Sequence, residues 1–257
     1  MNVTDKKELN IFEIISIAMG VFKGSVLNIT LTVITIYFPI AVLSEMIAQR
    51  INFETLFTDF QAVIEGSGSF ANIISSTQLT YFGLLMLVQI IIAPLLTMAI
   101  AVITKGYLSG EKIDYKKASI TSISHGPGLI ITSLLSSAVT MLGYMLFFVP
   151  GLYFTVIFHF FAYSIVLNDK GIFESLTYSK SLTKGRWFKV FLYMAIFYIV
   201  VLGFNNSISA LFIILGGSFS AGIFTSMLEA FIESFFYVIT TVWFLNLENF
   251  KNEPQNS

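Results

Sequence analysis

The sequence predicts an all-α integral membrane protein. Six transmembrane helices are expected in three repeats, each an elbow helix followed by a helical hairpin, with both termini cytoplasmic. Three observations predict this. Hydrophobic residues make up 56% of the 257 residues and charged residues only 11%, against roughly 25% charged in a soluble domain. Six apolar stretches are each long enough to cross a hydrocarbon core, which takes ~20 helical residues. When the chain is threaded through those stretches, every lysine and arginine except Arg50 falls on one side.

The same counts exclude whole classes of function. With a mean hydropathy of +0.83, a water-soluble fold of this size could not hide its apolar residues, because most of a folded surface still faces solvent. A soluble enzyme, a disordered chain and a nucleic-acid binder are therefore excluded. The net charge of −1 offers no basic face for nucleic acid. Cysteine is absent and the only histidines are His125 and His159, so disulfides, thiolate sites and a His-rich metal centre are excluded, and no cofactor or metal is expected. Met1–Asn10 is polar and carries both charge signs, without the pattern of a signal peptide. The expectation is insertion without trimming.

Taken in order, the spans are expected at 26–48, 79–104, 127–149, 151–168, 189–214 and 223–246. Between the first two lies an outer segment, 49–78. There Leu56, Phe57, Phe60, Val63 and Ile64 recur at helical spacing before Gly66-Ser67-Gly68-Ser69 breaks the pattern. It reads as an interfacial helix or lid, or as a plain connecting helix. The third and fourth spans are separated only by Val149-Pro150-Gly151, a turn signal inside an apolar run. The fifth and sixth are joined by the short, uncharged Gly216-Gly217-Ser218-Phe219-Ser220. In the second span, Pro94 predicts a kink and Gln89 a hydrogen bond to another helix. Asn205-Asn206, near the outer end of the fifth span, reads as a cap or a headgroup contact. Lysine and arginine favour the cytoplasmic side, so the charged segments 105–120 and 169–188 are cytoplasmic, as are both termini.

A repeat supports the threading. Ile11-Phe12-Glu13 leads to Lys23-Gly24 and then a span. Ile172-Phe173-Glu174 leads, at the same spacing, to Lys184-Gly185 and a span. Ile113-Asp114-Tyr115 and His125-Gly126 form a weaker third copy. The units cover about 8–104, 111–168 and 170–246. Each reads as a short amphipathic helix in the interface, a basic residue at its C-terminal end, and a glycine that turns the chain into the bilayer. In 11–23 the apolar face is Ile11, Ile14, Ile15, Ala18 and Phe22. In Lys184-Gly185-Arg186-Trp187, and at Lys189 beyond it, cations and an indole sit at headgroup level, where they can meet lipid phosphates.

The run Phe148-Val149-Pro150-Gly151-Leu152-Tyr153, followed by a span and then by Gly171-Ile172-Phe173-Glu174-Ser175-Leu176 and Ser179-Lys180-Ser181-Leu182-Thr183-Lys184-Gly185-Arg186-Trp187, resembles a known family. It is similar to the six-span membrane domain of some bacterial glycerophosphodiester phosphodiesterases and of stand-alone relatives of uncharacterised function. The resemblance is clearest over about 145–195 and extends to the whole chain only in topology. In those enzymes catalysis resides in a soluble barrel after the membrane domain. Nothing beyond the sixth span here corresponds to that barrel, so the resemblance implies a bacterial cytoplasmic-membrane domain without phosphodiesterase activity.

Ionisable residues inside a span are costly and are functional candidates. His159 falls in the fourth span, and Glu229 and Glu233 in the sixth. Counted from the ends of their spans, His159 and Glu233 lie near mid-membrane. Glu229 and Glu233 are four apart and share a helical face. Such groups can relay protons, hold a cation, bind a polar headgroup, or form buried structural hydrogen bonds. No enzymatic signature is present. Around Ser218, Gly-x-Ser-x-Gly fails because Ser220 occupies the final glycine position, and phosphate-loop and zinc-protease patterns are missing.

The expected function is therefore that of a non-enzymatic multi-pass membrane protein that binds lipid or serves as an accessory or immunity-type partner of another membrane protein. The alternative is a small transporter or lipid translocator using His159, Glu229 and Glu233. The threading makes a direct prediction. Tags at Met1, Lys117, Lys180 and Ser257 are reachable only from the cytoplasm, and a tag at Ser67 only from outside. Protease protection in sealed vesicles checks it, and a cytoplasmic Ser67 would overturn the six-span threading.

Overall fold

The computed structural model describes residues 8–69, 71, 73 and 76–251, with the backbone alone at 90–93. Every regular element among these residues is helical. Six helical segments are long and apolar enough to cross a membrane: Ile11–Ala48, Thr77–Ser109, Gly126–Leu146, Phe148–Asn168, Trp187–Ile214 and Phe219–Lys251.

The first segment comprises α1 (Ile11–Thr32), a π-helical turn (Val33–Tyr37) and α2 (Phe38–Ala48). Asn10 starts it with a capping box: its side chain accepts from the Glu13 N–H, and the Glu13 carboxylate accepts from the Asn10 N–H. The expected elbow at Lys23-Gly24 is not there, because α1 runs straight through it. Ile14, Ala18 and Val21 are buried against protein, so this face packs rather than lying in an interface. Gly24 instead leaves room for the Tyr107 ring, which a Cβ would strike. The π turn precedes Pro39, which cannot donate to the carbonyl four residues back and crowds it, so the helix widens there.

The outer segment forms α3 (Phe53–Ile64), capped by Asn52 and seated through Leu56, while Phe57 and Ile64 stay exposed. Residues 70, 72, 74 and 75 of that segment lie outside the described residues, as do Lys6 and Lys7. The long α4 (Thr77–Ser109) follows, with Pro94 inside it. Asp114 then caps α5 (Tyr115–Ser124) by accepting from the Lys117 N–H, and the chain turns at His125 into α6 (Gly126–Leu146).

The next hairpin differs from expectation in two ways. The chain reverses at Phe147, whose backbone is extended, and Val149, Pro150 and Gly151 form the first turn of α7 (Phe148–Ile157). Proline is tolerated there because the first N–H groups of a helix have no partner anyway. Gly151 backs directly onto Gly143: a Cβ at Gly143 would lie 3.0 Å from the Gly151 backbone. The second difference is that the fourth span is broken. After α7, residues 158–160 turn, and α8 (Phe161–Asn168) resumes. Ser179 repairs the break. Its Oγ accepts from the Phe160 N–H at 3.0 Å and donates to the Ile157 carbonyl at 2.7 Å.

Ser179 belongs to α9 (Ile172–Thr183), and the elbow after α9 is present. Gly185 turns with φ +77°, a conformation few residues with a side chain adopt. Then α10 (Trp187–Ile214) and α11 (Phe219–Lys251) form the last hairpin. The helix-turn-helix elbow is thus seen at His125-Gly126 and at Lys184-Gly185, but not at Lys23-Gly24.

α4 and α11 are central. Leu96, Met98, Ala99, Ile100 and Ile103 of α4, and Val238, Val242, Trp243, Phe244 and Leu247 of α11, are almost completely buried. Trp243 joins the rings of Phe160 and Tyr193. Buried hydroxyls on these spans bond back to their own helix, as Thr104, Ser234 and Thr241 do. One end of the bundle gathers both ends of the described chain, since the Leu9 N–H donates to Asn246 Oδ1 at 3.0 Å. At that end Lys105 donates to the Leu167 carbonyl, Asn168 and Tyr178 donate to Glu248, and Lys251 donates to Ser181.

Candidate functional site

Glu229 and Glu233 share one face of α11, as their spacing requires. Two donors reach Glu233: the Tyr237 hydroxyl at 3.0 Å and the Asn205 side-chain amide of α10 at 3.4 Å. Tyr37, at the end of the π turn, faces both carboxylates and bonds Gln89 of α4. Three segments therefore meet at the pair, and α4 joins them through the Tyr37–Gln89 bond. Gln89 does bond another helix, as the sequence suggests. Asn205 and Asn206 lie within α10 rather than capping it, and Asn206 donates to the Leu202 carbonyl. The Glu45 carboxylate of α2 lies further along α11, over Gly222, where a Cβ would strike it. Chemically, the pair can accept hydrogen bonds, share a proton, or face a cation.

His159 does not join this group. It sits in the break between α7 and α8, with its ring 4.8 Å from Phe160 and 6.1 Å from Trp243. At ~1.5 Å per residue, Trp243 lies ~12 Å from the Lys251 end of α11 and Glu233 ~27 Å from it. Counting from span ends places His159 and Glu233 at similar depth. His159 instead lies beside Trp243, roughly 15 Å nearer the basic end than Glu233. Among the described residues the imidazole has no hydrogen-bond partner.

The elbow after α9 shapes a separate cavity of about 460 Å³, lined by Tyr153, Ile157, Lys180, Ser181, Lys184 and Trp187, among others, and by no carboxylate among the described residues. Lys180 lies in the last turn of α9 and Lys184 caps that helix, its backbone N–H donating to the Lys180 carbonyl. Among the described residues neither has an ion-pair partner. The Trp187 indole N–H is buried with no acceptor, and its ring stacks on Phe191 at 5.5 Å. The other two expected headgroup contacts are engaged elsewhere. Arg186 and Lys189 both hold Glu8, at 3.1 and 2.7 Å, and Arg186 lies over the Phe250 ring at 4.7 Å. Partial burial pushes the Glu8 carboxyl up, but the hydrogen bonds and charges of Lys189 and Arg186 outweigh it and hold the group below its ordinary value.

The other elbow is tied to the same region. His125 Nε2 lies 2.9 Å from Asp169 and Nδ1 2.8 Å from the Thr121 carbonyl. Burial pushes the imidazole down, yet these two acceptors raise it above its ordinary value.

Sequence reasoning missed Tyr37, Tyr237, Glu8 and Lys180 as parts of these places. Tyr237 had a signal, being one turn beyond Glu233, and Lys180 one turn before Lys184. Tyr37 and Glu8 had none, because only the folded chain brings them near. Compared with known proteins, the chain matches no family, and no curated protein or solved structure is similar to it.

The Glu8 bridge makes a pH prediction. Because the folded carboxyl lies below its ordinary value of 4.5, the stability it adds is complete above that pH. It is lost as pH falls through the folded value. Wild type should therefore lose more thermal stability than Glu8→Gln between neutral pH and pH about 3, by roughly 1 kcal/mol given the partial exposure of the three groups. Parallel acid profiles for the two proteins would show that the bridge contributes nothing.

Proposed function

We propose that this chain is a non-enzymatic multi-pass protein of the cell membrane, with both termini cytoplasmic, whose work is to bind anionic lipid at the elbow that joins α9 to α10. One observation carries this reading. Among the described residues, the cavity at Lys180, Lys184 and Trp187 presents two cations without an ion-pair partner and an indole donor without an acceptor, with no carboxylate on its wall. An anionic headgroup supplies the missing partners: its phosphate oxygens accept from both ammonium groups, and after a small movement of the ring from the indole. Phe188, which is 69% exposed just beyond the elbow, and Phe173, which is 74% exposed on α9, provide apolar contacts at the same level. The resemblance to phosphodiesterase membrane domains fits a lipid-facing role without implying catalysis. A lipid-binding accessory or immunity-type partner of another membrane protein is the broader form of the same reading.

The alternative is a small transporter or translocator centred on Glu233. It is favoured by the convergence of Tyr37, Asn205, Glu229 and Tyr237 on a carboxylate ~27 Å from the end of a helix. In proteoliposomes under an imposed pH gradient, that reading expects protein-dependent proton flux that Glu233→Gln abolishes. Flux no greater than in protein-free vesicles rejects it.

The lipid reading is tested by native mass spectrometry of protein released from bilayers of mixed phosphatidylglycerol and phosphatidylcholine. Each cation near a lipid surface contributes about 1 kcal/mol. Lys180→Gln with Lys184→Gln should therefore weaken phosphatidylglycerol retention on the order of 10- to 30-fold. Lys116→Gln with Lys117→Gln, outside the cavity, should change it little. Equal retention by wild type and the first double variant sinks the proposal.

A further inference from the structure

A second cavity, of about 510 Å³, lies between α6, α7 and α10, with His159 on its wall. Ser136, Ser137, Thr140 and Tyr144 of α6 and Thr155 of α7 line it too, sharing the wall with apolar side chains such as Met194. Among the described residues no lysine, arginine, aspartate or glutamate lines it. We propose that this cavity holds the acyl-ester group of a membrane glycerolipid, with the His159 ring N–H donating to the ester carbonyl. The inference rests on the lipid-binding reading for the class of its ligand, and does not require one molecule to fill both cavities.

Three observations support it. A broken helix in a membrane span leaves backbone groups to be satisfied by other means, since hydrocarbon offers none. Here a dedicated side chain, Ser179, meets the Ile157 carbonyl and the Phe160 N–H. His159 lies within this break and on the cavity wall. Second, an imidazole brings one donor and one acceptor in its neutral form, and among the described residues neither is used. Its ring neighbours are Phe160 and Trp243. The hydroxyls of Tyr144 and Thr155, by contrast, already bond each other at 3.1 Å.

The third observation is depth. Arg186 lies against Phe250 and His159 against Trp243, seven residues or ~10 Å apart along α11. The polar region of one leaflet is roughly 5–8 Å thick. A group ~10 Å inward from the Arg186 level therefore lies just past the inner edge of that region, within reach of the ester groups that join it to the acyl chains. An uncharged wall with a free donor fits a neutral carbonyl there, and not a phosphate or a metal ion.

The test uses the full-length protein in bilayers containing equal amounts of diester and diether phosphatidylglycerol of matched chain length, read by native mass spectrometry. Wild type is expected to retain the diester over the diether by roughly fivefold, the net worth of one hydrogen bond. His159→Phe, which keeps a ring in the cavity, should remove that preference while still retaining phosphatidylglycerol over phosphatidylcholine. Lys180→Gln with Lys184→Gln should do the reverse, so failure of the ester site and failure of the headgroup site are distinguishable. Equal retention of diester and diether by wild type overturns the proposal, and so does an undiminished preference in His159→Phe. If His159→Phe does not fold, the wild-type comparison alone decides.

Discussion

In hydrocarbon there is no water to satisfy a backbone N–H or carbonyl, so each must find its partner inside the protein. That constraint explains the helical architecture and, more specifically, what happens where a helix fails. The fourth span fails at residues 158–160, and Ser179 answers by accepting from one freed group and donating to another. This bond fixes α9 against the break and so sets where the following elbow lies. Tyr153 and Ile157 of α7 then meet Lys180, Lys184 and Trp187 across one cavity. The elbow cavity and His159 thus both lie beside one broken helix and the serine that bonds across its break.

Charge organises the same end of the bundle. Glu8 draws Arg186 and Lys189, Asp169 draws His125, and Glu248 accepts from Asn168 and Tyr178. With these carboxylates engaged, several lysines have no ion-pair partner among the described residues, and of these Lys180 and Lys184 line the elbow cavity. A cation count by sequence treats all lysines alike. Folding sorts them into those that hold the chain together and those left to face an outside partner.

The spans were legible because their signals are local and additive: a stretch of twenty apolar residues needs no tertiary context to be recognised. The elbows were legible only where the turn is intrinsic. Gly185 adopts a positive φ and turns the chain, whereas Gly24, which also follows a lysine, stays within α1 with the Tyr107 ring against it. Val149-Pro150-Gly151 carries turn residues but lies just past the turn, since the Gly143–Gly151 approach decides which residue reverses the chain. The Glu229/Glu233 pairing was readable from its spacing. The separation of His159 from that pair was not, because it depends on how the spans pack against one another, which counting residues from span ends does not give.

α10 gives the clearest physical argument about the solvent of this fold. It begins at the elbow cavity and carries Asn205 to Glu233, yet among its described residues only Val190, Tyr193 and Ile208 are buried. Phe188, Ile199, Tyr198 and Ile213 are at least 65% exposed. In water, that much apolar area on one helix would cost ~25 cal/mol for every Å² left uncovered, and nothing in the bundle covers it. In a bilayer the term vanishes, because lipid tails are as apolar as the side chains they touch. Contact with the protein is then required only where polar groups must be met, and this is the pattern of α10: an apolar outer face, with tethers at its elbow, at Tyr193 and at Asn205.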